Sequence, residues 1–249
     1  MRQTNTLLID ADIFCFQAAS AVEEEIHWGD DLWTLHSDLG KAKAKVERDL
    51  DKVAMTIGGY CEFIICLTDK ENFRKEVLPS YKENRKGKRK PIALAELKEW
   101  LASKYESFTR PTLEADDCMG ILATWDAYKP GTKKIIVSED KDMKTIPCYL
   151  FNPAKDVKVK EVTEVEADYY HFKQTLMGDT TDGYKGCPGI GEVGSTKVLD
   201  KGNTWDNVVS AFVHKGLTQG EALVQARVAR ICRASDYDFK KKEVILWTP

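Results

Sequence analysis

The sequence predicts an α/β protein with a central, mostly parallel sheet, followed by a mostly helical C-terminal part. Two observations carry this. Three short, uniformly apolar runs around Leu7–Ile9, Phe63–Leu67 and Ile135–Val137 are separated by long segments of helical periodicity, the pattern of strands buried on both faces. From residue 164 onward the apolar residues recur mainly at helical spacing. The 249 residues suffice for one large domain or two small ones, and 43% hydrophobic with 31% charged residues is the balance of a soluble globular chain.

Thr6–Ile9 reads as a buried strand that ends in Asp10 and leads into a helix through Phe16 to Ala19. Residues 22–40, with Trp28, Gly29 and Trp33, read as an irregular connection. Lys41 to Ile57 is helical, with Val46, Leu50, Val53 and Ile57 on one face. Phe63–Leu67 is a second strand, ending in Thr68-Asp69. Ile92–Tyr105 is a helix, Phe108–Thr112 a short strand, and Glu114–Tyr128 a helix. Lys134–Val137 is a third strand, ending in Ser138-Glu139-Asp140. Beyond it come helices over Val165–Met177, Ser195–Asp200, Trp205–His214 and Thr218–Ala234, and a late strand at Val244–Trp247. A subdomain boundary is expected near Gly178, dividing 1–178 from 179–249, with the two parts packed together.

Seven scattered cysteines without a CxxC pair or a Cys/His cluster point to free thiols in a reducing compartment, not to a disulfide framework or zinc site. No run reaches the roughly 18 uncharged apolar residues of a membrane span. The first apolar stretch carries Asp10 and Asp12 at its centre, which a signal-peptide core does not tolerate. The chain is expected to be cytoplasmic. A net charge of −3 argues weakly against a polyanionic partner, but its distribution reverses that argument.

Nine acids stand at strand and helix ends: Asp10, Asp69, Glu114, Asp116, Asp117, Asp140, Asp142, Asp179 and Asp182. Any one of them is explained by capping or loop formation. Three buried strands that end in Asp at one sheet edge are a different matter, because converging carboxylates repel each other unless cations lie between them. Hard divalent ions such as Mg²⁺ or Mn²⁺ suit an all-carboxylate site, and this many acids suggests two ions. Such pairs serve in-line displacement at phosphorus.

After the Asp69 strand come Arg74, Lys75 and a run, Tyr81 to Lys90, in which Lys82, Arg85, Lys86, Lys88, Arg89 and Lys90 face one acid, Glu83. Cations beside a metal-carboxylate site suit a polyanion, and Tyr81 offers a ring to stack on a base. With the nine acids neutralised by metal, the remaining chain is net positive. The segment Gly186 to Leu199 is neither a Rossmann fingerprint, since no strand precedes it, nor a P-loop. Its Pro188-Gly189-Ile190-Gly191-x-x-Gly194 core between two helices resembles a helix–hairpin–helix turn, with Ser195 and Lys197 in the second helix placed near a DNA phosphate.

Taken in order, these blocks resemble the 5′-nuclease family of 5′→3′ exonucleases and flap endonucleases, most nearly the stand-alone bacteriophage exonucleases of the T7 type. The resemblance spans about residues 5–200 and rests on Glu114-Ala-Asp-Asp, Asp140-Lys-Asp, Gly178-Asp-Thr-Thr-Asp and Pro188-Gly-Ile-Gly. It implies a PIN-like, Rossmann-like core with a basic arch near 74–100, plus a helix–hairpin–helix subdomain that grips duplex DNA, in the family often with K⁺. It further implies that Asp10, Asp69, Glu114, Asp116 and Asp117 hold a first metal ion, and that Asp140, Asp142, Asp179 and Asp182 hold a second. Arg74, Lys82 and Arg85 match basic positions that hold the scissile phosphate or the 5′ end. The implied activity is two-metal 5′→3′ hydrolysis of duplex or flap DNA, with RNase H-like action on RNA–DNA hybrid and 5′-phosphorylated products. Two departures stand out: Lys82–Lys90 has the composition of a segment disordered without DNA, and Gly183 stands where the family often has Asn. Residues after about 200 carry no assignable motif. Two alternatives share parts of the pattern. Leu8-Ile-Asp10-Ala-Asp12 and Val137-Ser138 look like haloacid-dehalogenase phosphatase motifs with Asp10 as nucleophile, and a DNA-binding module without catalysis is the third reading.

Overall fold

The computed structural model describes residues 4–249. The first apolar run is β1 (Thr4–Asp10); Asp10 ends it and caps α1 (Ala11–Ala21), its carboxylate accepting from the Ile13 amide at 3.3 Å. A hairpin of β2 (Glu23–His27) and β3 (Trp33–Ser37) leads to α2 (Leu39–Ile57), capped by Asp38, and then to β4 (Tyr60–Cys66). The short α3 (Arg74–Val77), α4 (Leu94–Lys104) and β5 (Glu106–Phe108) follow. Next come α5 (Ala115–Thr124), β6 (Lys133–Val137), β7 (Cys148–Phe151) and β8 (Lys160–Val162). The remainder is α6 (Glu164–Met177), α7 (Glu192–Leu199), α8 (Trp205–Val213) and α9 (Gln219–Ala229), closed by a small hairpin of β9 (Tyr237–Asp238) and β10 (Glu243–Val244).

The main sheet has the order β5-β4-β1-β6-β7-β8, parallel throughout except for β8 at one edge. Strand periodicity divides its side chains between two cores. Leu7, Ile9, Ile65, Ile135 and Val137 face α1, α2 and α4. Leu8, Ile64, Cys66, Ile136 and Leu150 face α5 and the segment around Ile231–Tyr237. β1 lies centrally between β4 and β6, so its carboxyl end meets the ends of both neighbours.

Two expectations from sequence are corrected, and two strands are added. Residues 22–40 are not irregular but form the β2–β3 hairpin, whose side chains are largely solvated. Strands β7 and β8 were not visible because they are three or four residues long and lie next to the sheet edge. The basic segment 82–90 is not without structure. It turns through a 3₁₀ helix at Glu83–Arg85, and Asn84 Nδ2 donates to the carbonyls of Thr180 and Thr181 at 3.0 and 3.2 Å.

The chain does not stay apart after Gly178. It returns to the core, where Ile231, Cys232 and Tyr237 pack against α5. A Cβ on Gly120 of α5 would lie 2.4 Å from the Cys232 carbonyl oxygen, so a side chain there would push this segment off. Among the described residues no helix is long and apolar enough to cross a membrane.

Candidate active site

Asp10 at the end of β1 begins the site. It is buried at 2% exposure and accepts from the Ser138 hydroxyl, at the end of β6, at 2.6 Å. The nuclease reading of the sequence gave Ser138 no role; only the phosphatase alternative set it beside Asp10. Asp140 and Asp142 follow β6 in a 3₁₀ turn, where Asp140 accepts from the Asp142 amide at 2.8 Å. Asp142 also accepts from Gln174 of α6. Glu114 caps α5 and Asp116 sits in its first turn. Asp179 and Asp182 lie in the tight turn after α6, closed by a bridge between Asp179 and Tyr184.

These elements enclose a cleft of about 240 Å³ lined by Asp10, Asp12, Glu114, Asp116, Asp140, Asp142, Asp179 and Asp182, with Lys82, Arg85, Lys141 and Thr68. Seven of the nine acids named from sequence therefore meet there. Asp12 and Lys141 were not among the residues assigned to the nuclease site. Lys141 stands between Asp140 and Asp142, which is the sequence signal that could have found it.

Asp69 and Asp117 do not join them. β4 ends three residues before Asp69, and the chain carries it past the cleft. Its carboxylate accepts from the Thr112 amide at 2.9 Å, holding a residue with φ 63 in the left-handed region. Asp117 is fully buried and takes both guanidinium nitrogens of Arg74 at 2.7 Å. It also accepts from the Glu114 and Cys232 amides. Arg74 is itself 2% exposed and donates to the carbonyls of Val228 and Arg230. Arg74 and Asp117 are thus a buried tie between α3, α5 and the C-terminal segment, and neither lines the cleft. Tyr81 is corrected likewise. Its ring is buried and its hydroxyl donates to Glu114 Oε2 at 2.7 Å, so it offers no face to a base.

The cleft is charged far out of balance. Eight carboxylates face Lys82, Arg85 and Lys141. Lys82 Nζ lies 2.5 Å from Glu114 and 3.6 Å from Asp182; Arg85 is 2.6 Å from Asp182, and Lys141 is 2.9 Å from Asp179. The acids without a cation show the consequence. Burial, with Asp12 and Asp140 nearby and Ser138 opposing, pushes Asp10 up to about 7. Burial and the charge of Asp140 take Asp142 up to about 7. Asp116 is raised well above the usual carboxylate range by burial and by Asp10 and Asp140. Glu114 goes the other way: burial opposes its charge, but Lys82 and Arg74 hold it down to about 2. Asp179 is also lowered: burial opposes its charge, but the Lys141 ammonium and the Thr181 and Asp182 amides together outweigh it.

Among the described residues no three acid, Cys or His groups already close around one point. The donor set nevertheless fits hard divalent cations. It is all carboxylate, with no thiol or imidazole in the lining, and its excess negative charge is what a cation would relieve.

The other basic residues divide. Lys86 pairs with Glu83 and Arg89 with Glu23, whereas Lys88 and Lys90 are exposed. The glycine-rich turn follows Gly178, and Gly191 caps α7 without a side-chain hydrogen bond. Gly189 and Gly191 are exposed, as is Lys197. Gly194 packs against Ile190, and Ser195 is fully buried with its hydroxyl given to the Glu192 carbonyl at 2.9 Å. Ser195 is therefore a packing residue, not a phosphate contact.

Residues 5–170 match the family described as 5′-3′ exonuclease, N-terminal resolvase-like domain. The chain belongs to this family. It is 32% identical to the exodeoxyribonuclease of Enterobacteria phage T3, over 98% of this chain and 92% of that protein. The exonuclease of Escherichia phage T7 is equally similar, with 98% and 93% covered. Among solved structures, a bacteriophage T5 5′-exonuclease with zinc bound shares the fold, with a TM-score of 0.61, 15% identity, and 91% and 89% of the two chains covered. The catalytic core of Rad2 in complex with DNA matches with a TM-score of 0.53 at 17% identity, over 82% of this chain and 63% of that one. Membership sets aside the haloacid-dehalogenase alternative: this chain is a nuclease of the 5′–3′ exonuclease family.

Proposed function

We propose that this nuclease removes nucleotides from the 5′ end of duplex DNA, cuts 5′ flaps, and attacks RNA–DNA hybrid, leaving 5′-phosphates. The observation that carries the reading is the convergence of seven sequence-marked acids with Lys82, Arg85 and Lys141 in one cleft at the carboxyl ends of β1 and β6.

Asp10, Glu114, Asp116, Asp140, Asp142, Asp179 and Asp182 would hold two divalent cations, Mg²⁺ or Mn²⁺. When bound, such ions supply water activation and neutralise charge at phosphorus. The chain's own cations do the rest. Lys82 is held by Glu114 and Asp182 at the cleft wall, where a phosphate can take its place among them. Burial works against the Lys82 charge, yet Glu114 and Asp182 raise its pKa, so it stays an ammonium able to stabilise negative charge on phosphate. Arg85 and Lys141 present further positive charge to the same space. Lys86, Lys88, Arg89 and Lys90 extend this positive side away from the cleft along the incoming strand. Residues 1–178 supply most of the cleft, and 179–249 supply Asp179 and Asp182 together with the turn through Gly189, Gly191 and Lys197, which would grip the duplex, with K⁺ a candidate ion there. A cytoplasmic place of action, inside the host for a phage protein, accords with seven cysteines that are all free thiols.

The test is a time course on 5′- and 3′-labelled duplex, flap and hybrid substrates with and without Mg²⁺, using the parent chain and Asp140→Asn. Mg²⁺-dependent loss of the 5′ label, reduced at least 100-fold in the variant, is expected. Cleavage undiminished in Asp140→Asn, or loss from the 3′ end, rejects the proposal.

A further inference from the structure

Gln174 sits one turn before the end of α6. It is buried and does not line the cleft, so it is out of reach of a substrate held there. Its Nε2 nevertheless donates to Oδ1 of Asp142, an acid that does line the cleft. Asp140 and Asp179 are each held by an amide of their own turn, from Asp142 at 2.8 Å and Thr181 at 2.7 Å. Asp142 has no such local partner: among the described residues Gln174, 32 residues away, is the donor that reaches its carboxylate. The Gln174 main chain has a second contact. Its carbonyl accepts from the Gly178 amide at 2.8 Å, closing α6 where the turn with Asp179 and Asp182 begins. One residue thus joins the acids that follow β6 to the acids that follow α6.

Packing does not explain the amide. Gln174 Oε1 is buried without a hydrogen-bond partner, a cost that an apolar side chain of the same size would not carry. What the amide alone supplies is the N–H that directs Asp142. We propose that Gln174 is a positioning residue, which fixes the Asp142 carboxylate relative to Asp179 and Asp182 so that these acids can share one divalent cation. The inference rests on the reading of Asp142, Asp179 and Asp182 as metal-holding acids, and it adds the residue that sets them in place. A group that hydrogen-bonds a ligating carboxylate governs its direction, and its loss typically weakens metal binding about 10- to 100-fold.

The test measures Mn²⁺ uptake by the full chain without DNA, from the loss of the free-ion electron paramagnetic resonance signal. The parent chain is compared with Gln174→Met, Asp142→Asn, the double variant of these two, and Thr175→Val. Methionine keeps the volume and removes the donor. Thr175 is the next residue of α6, fully buried, with its hydroxyl given to the His171 carbonyl at 2.9 Å. Thr175→Val therefore removes a buried hydrogen bond from the same helix without touching an acid. Gln174→Met is expected to weaken one class of Mn²⁺ site about 10- to 100-fold, to melt like the parent in EDTA, and to have no further effect once Asp142 is replaced. Gln174→Asn, whose amide is a methylene too short for Asp142, carries the same expectation and stands in if the methionine variant does not fold. Unchanged Mn²⁺ affinity, an equal loss in Thr175→Val, or an undiminished effect in the Asp142→Asn background overturns the positioning role alone. A parent chain that takes up no Mn²⁺, or an Asp142→Asn chain that takes it up as the parent does, refutes the metal reading beneath it.

Discussion

Asp116 and Asp117 are neighbours in sequence, yet about 100° of helix rotation separates them. That rotation sends Asp116 into the cleft and Asp117 into the core against Arg74. The two substitutions should differ sharply. Asp116→Asn removes a charge that burial and Asp10 already oppose, so in chelator it should raise the melting temperature while abolishing Mg²⁺-dependent cleavage. Asp117→Asn removes the charge partner of a buried guanidinium and should cost about 3–5 kcal/mol of stability, read as a lower urea midpoint. Equal melting temperatures for the two variants would contradict this division. The adjacent pair looked equivalent in the sequence because sequence lists acids without the direction in which each one points.

At the level of elements, the turn after α6 is fastened by two glycines pressed together. A Cβ on Gly178 would stand 2.4 Å from the Lys185 carbonyl carbon, and one on Gly186 would stand 2.3 Å from the Gly178 nitrogen. Both have positive φ, 69 and 63. This crossing holds Asp179 and Asp182 over the cleft and starts the glycine-rich turn. Gly178→Ala should therefore lower stability by at least about 2 kcal/mol, from left-handed strain plus the backbone clash, and should lower cleavage further than that loss explains. Parallel urea melts and cleavage rates below the unfolding range check it. An alanine variant with parent-like rates would show that the crossing does not place the acids. The basic segment is another case of placement by an element. Its composition looked unstructured, but Asn84 and Arg85 fasten it to the Thr180–Asp182 turn.

The molecule as a whole is tied shut by its last segment, which packs on α5 and meets α6 through His171. His171 is buried, and its Nε2 is 2.8 Å from the Ala226 carbonyl of α9, so the neutral ring donates there. Burial, with Arg230 close by, lowers its pKa to about 3. The unfolded chain takes up a proton near the ordinary value of 6.5, while the folded chain does so only near 3. The stability this gives is present above 6.5 and is lost progressively as the pH falls from 6.5 toward 3, by at most about 1.4 kcal/mol per pH unit. Urea midpoints between pH 7 and pH 5 should fall in the parent chain and fall less in His171→Gln. An identical pH dependence in both would refute the linkage.

The sequence by itself determined the α/β class, the order of the main strands, and the places where carboxylates would end them. Those are local properties: uniform apolar runs, helical spacing, and an Asp after each of three buried strands. Its family motifs were equally legible, because short blocks kept in order survive without any knowledge of contacts. Only the tertiary structure decided which acids and cations share the cleft. Asp69 and Asp117 leave the set, Asp12 and Lys141 join it, and Arg74 and Tyr81 turn out to be buried supports. The reason is geometric. A residue's type and its place in an element can be read from neighbours along the chain, whereas the direction of its side chain and its charge partners depend on segments more than a hundred residues away, as the Asp10–Ser138 and Asp117–Cys232 hydrogen bonds show.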